Sequence, residues 1–297
     1  MTRRWHIPIA ALALALGGLT AAAGPAAASA PAHLATTHTH SATAGVATTH
    51  PGATTHPAGV PAGFNPGGMG RGTTNALAKA PGVSNETEVA TPNWSGFVES
   101  GADGSYTSVS DEWQQATLVC DTDSVQYVSF WVGLDGYNGS SVEQTGTLGV
   151  CDGTTPYYYA WYEMYPAAPV YYNVTVEAGL LIYGSVVFSG TDTYTLSLEG
   201  INLDWTQTTT VNEPGLANAS AEVITEAPSS SSGVLPLAEF ERAHYRVSFI
   251  NGAYMGSDGG QNPTPLYIVD PSGLAEDSTA APPSPIGGFY NDWIQSS

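Results

Sequence analysis

Tyr157-Tyr158-Tyr159-Ala160-Trp161-Tyr162-Glu163-Met164-Tyr165 decides how this chain folds. Side chains alternate across a strand, so Tyr157, Tyr159, Trp161, Glu163 and Tyr165 share one face. Tyr158, Ala160, Tyr162 and Met164 take the other. Both faces are bulky. This predicts a strand inside a sheet, with one side in the core and the other lining a groove. Outward from it, Tyr172 to Phe188, Tyr194 to Leu203, Ala221 to Glu226 and His244 to Ile250 read as further β-rich segments. Ser189-Gly190-Thr191, Gly200-Ile201-Asn202 and Asn251-Gly252 punctuate them. No stretch after residue 88 has a helical period, so the expected fold is all-β, an antiparallel β-sandwich of two sheets. The Ser229 to Ser232 run and the Pro-rich Ala280 to Pro285 stretch are expected to be exposed loops.

The N-terminal part reads differently. Arg3 and Arg4, the apolar run Ile7 to Leu19 and small-residue sites such as Ala28-Ser29-Ala30 predict an export signal over residues 1–30. The apolar run is short for a membrane span, so no stable membrane anchor is expected. Thr2-Arg3-Arg4-Trp5 keeps twin-arginine export open beside the general route. Residues 31–88 are built from Ala, Thr, Pro, Gly and His, with too few large apolar residues to offset chain entropy. They read as a pro-segment or leader, and residues 89–297 as one β-sandwich domain, expected to be a monomer outside the cell.

The formal net charge is -20, and beyond residue 88 the only basic side chains are Arg242 and Arg246. Such a surface argues against nucleic acid or an anionic membrane as partner. Crowded carboxylates are expected to bind protons more tightly in the folded state, so stability is expected to fall as pH rises. Cys120 and Cys151 are the only cysteines. In an exported protein this favours one disulfide over two free thiols.

Elimination narrows the chemistry. His244 is the one histidine beyond His56, and it lies in an alternating strand pattern, where a sheet-face role is the simpler reading than a triad base. No Gly-x-Ser-x-Gly elbow, EF-hand loop, Walker sequence or dinucleotide glycine pattern occurs. His/Cys metal sites lack ligands, and no metal or cofactor is expected. Carboxylates, amides and aromatics remain, which suits hydrolysis by a carboxylate near its own pKa, about 4.

Three segments then matter together: Trp131-Val132-Gly133-Leu134-Asp135-Gly136 leading to Glu143-Gln144-Thr145-Gly146; Tyr159 to Pro166; and Ala221-Glu222-Val223-Ile224-Thr225-Glu226. Asn93-Trp94-Ser95-Gly96 precedes them. In this order and spacing the chain resembles the glutamic peptidases, or eqolisins, from Asn93 to about Phe249. The resemblance implies a sandwich like the concanavalin A-type lectins and an acid endopeptidase that is insensitive to pepstatin. It implies a catalytic pair at Gln144 and Glu226, with substrate-binding or supporting positions at Asp135, Trp161, Glu163 and Trp131. Tyr159 departs from the family, which has an Asp there, and this puts part of the hydrogen-bond network in question. In the implied chemistry Glu226 moves protons and Gln144 stabilises an oxyanion during hydrolysis of protein or peptide substrates. Glu222 shares the Glu226 face and is expected to be solvated.

Two other classes stay open. A glycan-active hydrolase on the same sandwich would use Glu163 and Glu226 as its carboxyl pair. A non-catalytic carbohydrate-binding module would use the aromatics as a platform. The leader's His33, His38, His40, His50 and His56, with Arg71 and Lys79, suggest docking over the acidic groove through charge; a plain spacer is the other reading.

Overall fold

Strands dominate the computed structural model, which describes residues 60–61, 64–65, 88–121, 123–137, 139–257, 262–280 and 285–296. The expected export signal lies outside the described residues, as do most of the leader and the centre of the Pro-rich stretch. The strands begin with β1 (Val89–Thr91), β2 (Trp94–Ser100) and β3 (Ser108–Gln114). Three long ones follow, β4 (Gln126–Leu134), β5 (Val142–Asp152) and β6 (Thr155–Tyr165). Next come β7 (Val170–Tyr172), β8 (Leu181–Phe188), β9 (Thr193–Gly200) and β10 (Trp205–Asn212). A single 3-10 turn, Ile201–Leu203, joins β9 to β10. β11 (Ser220–Glu226) precedes β12 (Ser229–Ser230) and β13 (Gly233–Val234). The chain continues through β14 (Arg242–Ile250), β15 (Ala253–Tyr254), β16 (Thr264–Ile268), β17 (Asp277–Ala280) and β18 (Phe289–Trp293).

Two sheets form the expected sandwich. One has the order β1-β16-β2-β11-β4-β5-β6-β7, the other β10-β9-β8-β3-β14-β18-β17, with β15 on β14. Pairing is antiparallel except between β1 and β16. Inward-facing Val128, Phe130, Val132 and Leu134 of the first sheet meet Val109, Trp113, Ile182, Val186, Leu196 and Tyr245 of the second in one core. Tyr245 also ties the sheets polarly, its hydroxyl donating to the Ile224 carbonyl at 2.6 Å.

Within the β-rich stretch Tyr172 to Phe188, Gly179 turns at φ 81 and β8 begins only at Leu181. One local expectation needs correction: Ser229 to Ser232 is not an open loop, because Ser229 and Ser230 pair with Val234 and Gly233 in a small hairpin. Cys120 and Cys151 form the expected disulfide, which fastens the segment before β4 to the end of β5. Their separation of 31 residues gives a closed loop whose entropy corresponds to about 3–4 kcal/mol. Cys120→Ser/Cys151→Ser is expected to lose that much in urea unfolding, with a somewhat larger m-value because the unlinked chain unfolds to a more open state. A loss below about 1 kcal/mol would show that the reduced chain is already constrained.

Candidate active site

The outer face of the first sheet is built by the residues that alternate away from the core. β4 contributes Tyr127, Ser129 and Trp131, β5 contributes Gln144, Leu148 and Val150, and β6 contributes Tyr159, Trp161 and Glu163. β11 adds Glu222, Ile224 and Glu226, and β2 adds Trp94. Register sets the neighbours: Glu226 stands between Trp94 and Ser129, and Gln144 between Gly133 and Glu163. Glycine at 146 lets the Trp131 strand approach, since a Cβ there would sit 2.2 Å from the Phe130 carbonyl oxygen and 2.5 Å from Trp131 Cβ.

Glu226 is fully buried. Trp131 Nε1 donates to its Oε2 at 2.8 Å, and Asn93 Nδ2 donates to its Oε1 at 3.0 Å. Burial pushes its pKa well up; the Trp131 bond opposes this, the Glu163 charge adds to it, and the Asn93 and Trp94 bonds oppose it. Gln144 Nε2 donates to Glu163 Oε2 at 2.8 Å. Burial also raises Glu163, with that bond holding it down. The Gln144–Glu163 pair and Glu226 thus lie on one face, on either side of Trp131, and the two carboxyl groups feel each other's charge.

The other expected positions separate into two groups. Trp131 and Trp161 are fully buried in a second apolar cluster on this face, with Trp94, Leu148, Val150 and Ile224. Trp94 and Trp131 meet edge to face at 4.9 Å. Asp135, in contrast, sits at the end of β4 in a left-handed conformation, φ 65. Its two oxygens accept from the Asn218 and Ala219 amides at 2.7 Å each. It latches the segment entering β11 rather than facing the Gln144–Glu163 pair. Glu222, expected to be solvated, is instead fully buried. Its pKa is raised well up by burial, held back by Ser220, and raised further by the Asp135 and Glu143 charges. Tyr159 occupies its predicted face and packs its ring edge against Tyr171 at 6.2 Å.

In the sequence Asn93 is marked by nothing beyond its place before Trp94-Ser95-Gly96. Asn93 reaches Glu226 because its carbonyl accepts from the Ala227 amide, fixing the entry to β2 alongside the exit of β11. Among the described residues, no group of three His, Cys, Asp or Glu side chains is arranged to hold a metal ion. The arrangement pairs a proton-carrying carboxyl with an amide donor in apolar surroundings, a set suited to acid hydrolysis of an amide.

The sequence profile described as the peptidase A4 family matches residues 92–273. The chain belongs to the peptidase A4 family. The matched span contains every strand of the site. Solved structures agree with the fold. Scytalido-glutamic peptidase, in complex with a transition-state analogue inhibitor, is 22% identical over 68% of this chain and 98% of its own, with a TM-score of 0.59. SCP-B, an eqolisin solved with the tripeptide Ala-Ile-His, is 20% identical over 68% and 98%, with a TM-score of 0.54. Aspergilloglutamic peptidase from Aspergillus niger is 22% identical over 57% and 99%, with a TM-score of 0.50. At these identities the likeness is one of fold. No curated protein matches the chain significantly.

Proposed function

We propose that this family member is a secreted acid endopeptidase in which Glu226 moves the protons and Gln144 stabilises the oxyanion. The observation that carries the reading is the placement of Glu226, held by Trp131 and Asn93, on the same sheet face as the Gln144–Glu163 pair. In the proposed step the Glu226 carboxylate takes a proton from water, and the water oxygen attacks the peptide carbonyl carbon. The carbonyl π bond opens onto oxygen, and that oxyanion accepts a hydrogen bond from Gln144 Nε2. An amide nitrogen has two hydrogens, so Gln144 can keep its bond to Glu163 and still present one to the oxyanion. Collapse breaks the carbon–nitrogen bond while Glu226 returns its proton to the leaving amine, which closes the proton account. Glu163 acts in this reading as a positioning residue that orients the amide. Trp131 and Trp161 line the groove for the substrate.

The buried Glu226 retains its proton well above the ordinary carboxyl range. Admitting water to the face lowers the burial penalty and moves it back towards the ordinary carboxyl range, where it is partly ionised in acid. The disulfide supports an oxidising compartment for the folded chain. The test is cleavage of a denatured protein at about pH 3–4 with pepstatin present, run beside a panel of sugar polymers. Pepstatin-resistant protein cleavage is the expected result. Release of reducing sugar without any peptide-bond cleavage would replace the peptidase reading with a glycan hydrolase.

A further inference from the structure

The expected leader is not confined to sequence upstream of the fold. Val60 and Phe64 are only 8% and 4% exposed, and both belong to the apolar cluster of Trp94, Trp131, Trp161 and Leu148. Phe64 packs on Tyr127 with ring centroids 5.4 Å apart, and its amide donates to the Pro61 carbonyl at 3.2 Å. Asn65 pairs with Ser229 through both main-chain groups: its amide donates to the Ser229 carbonyl at 2.8 Å, and the Ser229 amide donates to its carbonyl at 3.1 Å.

These contacts lie beside the site. Ser129 is the register partner of Glu226, and Tyr127 is the next residue along the same face of β4, roughly 7 Å away at strand spacing. Ser229 follows the end of β11 at Glu226 after only Ala227 and Pro228. Asn65 thus adds its main chain to the site's rim, and Phe64 puts an aromatic side chain on the adjoining wall. This is how sheet edges and grooves bind peptides: main-chain bonds that tolerate any sequence, with a side-chain pocket that selects. Charge, the docking force expected from the leader's histidines, Arg71 and Lys79, plays no part in these contacts. Those basic residues lie outside the described residues, and Val60, Phe64 and Asn65 do not titrate.

We infer that Tyr127 and the Ser229 main chain form a peptide-docking subsite that takes a bulky apolar side chain, with Phe64 and Asn65 as its resident occupant. The inference rests on the peptidase reading for what competes with that occupant, an apolar or aromatic residue of an extended protein substrate. Burying an aromatic ring corresponds to an occupancy change of at least about tenfold, so removing it should uncover the groove by that factor.

The experiment uses the full chain as purified and still intact by mass, as wild type, Phe64→Ala, Asn65→Pro and Phe64→Leu. Initial rates on a denatured protein are read together with acrylamide quenching of tryptophan emission, since Trp94, Trp131 and Trp161 lie in the covered cluster. For quenching, each variant also carries Glu226→Gln so that no chain cuts itself. Phe64→Ala and Asn65→Pro, which lacks the bridging amide, are expected to start about tenfold faster and to quench more strongly. Phe64→Leu is expected to track wild type. Unchanged rates and unchanged quenching in both disrupting variants would overturn the subsite while leaving the peptidase intact. Stronger quenching with no protein cleaved by any variant would support the docking and sink the peptidase reading instead.

Discussion

Glu226→Gln leaves no measurable peptide-bond cleavage in a folded protein, and Gln144→Ala lowers kcat by about 10²- to 10³-fold. Those are the results expected at acid pH, with folding checked by near-UV dichroism. The first follows from the loss of the only group in the proposed step that both accepts and returns a proton. Glutamine keeps the shape, but the Trp131 and Asn93 donors that fix Glu226 would then meet a group with donors of its own. The second follows because a preorganised amide in low-dielectric surroundings is worth more than its equivalent in water. The Gln144 loss should fall on kcat with KM nearly unchanged, since the bond forms fully only to the oxyanion. This pair of variants also separates the rival chemistry. A glycan hydrolase working through Glu163 and Glu226 would tolerate Gln144→Ala and fail with Glu163→Gln.

The second large effect is on stability, and it runs opposite to the usual acid-labile protein. Burial pushes Glu143 from 4.5 up to about 9, assisted by the Asp135 charge and opposed by a bond to Ser141. Burial likewise raises Glu222, Glu163, Glu226 and Asp111. A carboxyl whose folded pKa is raised adds stability that is complete below its unfolded pKa, near 4.5 for Glu143. That contribution is lost as pH climbs through the window up to about 9. At pH 7 Glu143 alone costs roughly 3 kcal/mol, because the unfolded chain has ionised and the folded one has not. Glu143→Gln is expected to recover that amount at pH 7 and nothing at pH 3, measured by urea unfolding at both. Wild type should melt highest in acid and fall steadily towards neutral pH; a melting temperature that climbs over that range would refute the idea. The physical source is desolvation first and charge crowding second, the reverse of what composition alone suggested.

What was legible in the sequence was whatever alternation encodes. The two faces of Tyr157 to Tyr165 came through because a strand's period is local, and the core does hold Tyr158, Ala160, Tyr162 and Met164. Which strands stand side by side is a long-range fact that no window reports. The Gln144–Glu163 bond depends on the β5–β6 register, and Asn93 reaches Glu226 across 133 positions of chain. Glu222 follows the same rule: alternation gives its face, but not what covers that face and buries it. Phe64 gave no warning, as a lone aromatic among Ala, Pro and Gly, and its partner Ser229 lies in a serine run that reads as loop.

The placement of β11 between β2 and β4 also sets a timetable. β4, β5 and β6 are consecutive antiparallel neighbours and can pair as soon as each leaves the ribosome. β2 cannot complete its side of the sheet until a strand that ends at Glu226 has been made and inserted beside it. Such late, non-local pairing is slow. A nascent chain that ends between Glu163 and Glu226 therefore holds Gln144 and Glu163 but lacks the proposed proton carrier. The order of synthesis thus withholds the proposed dyad until β11 has been made.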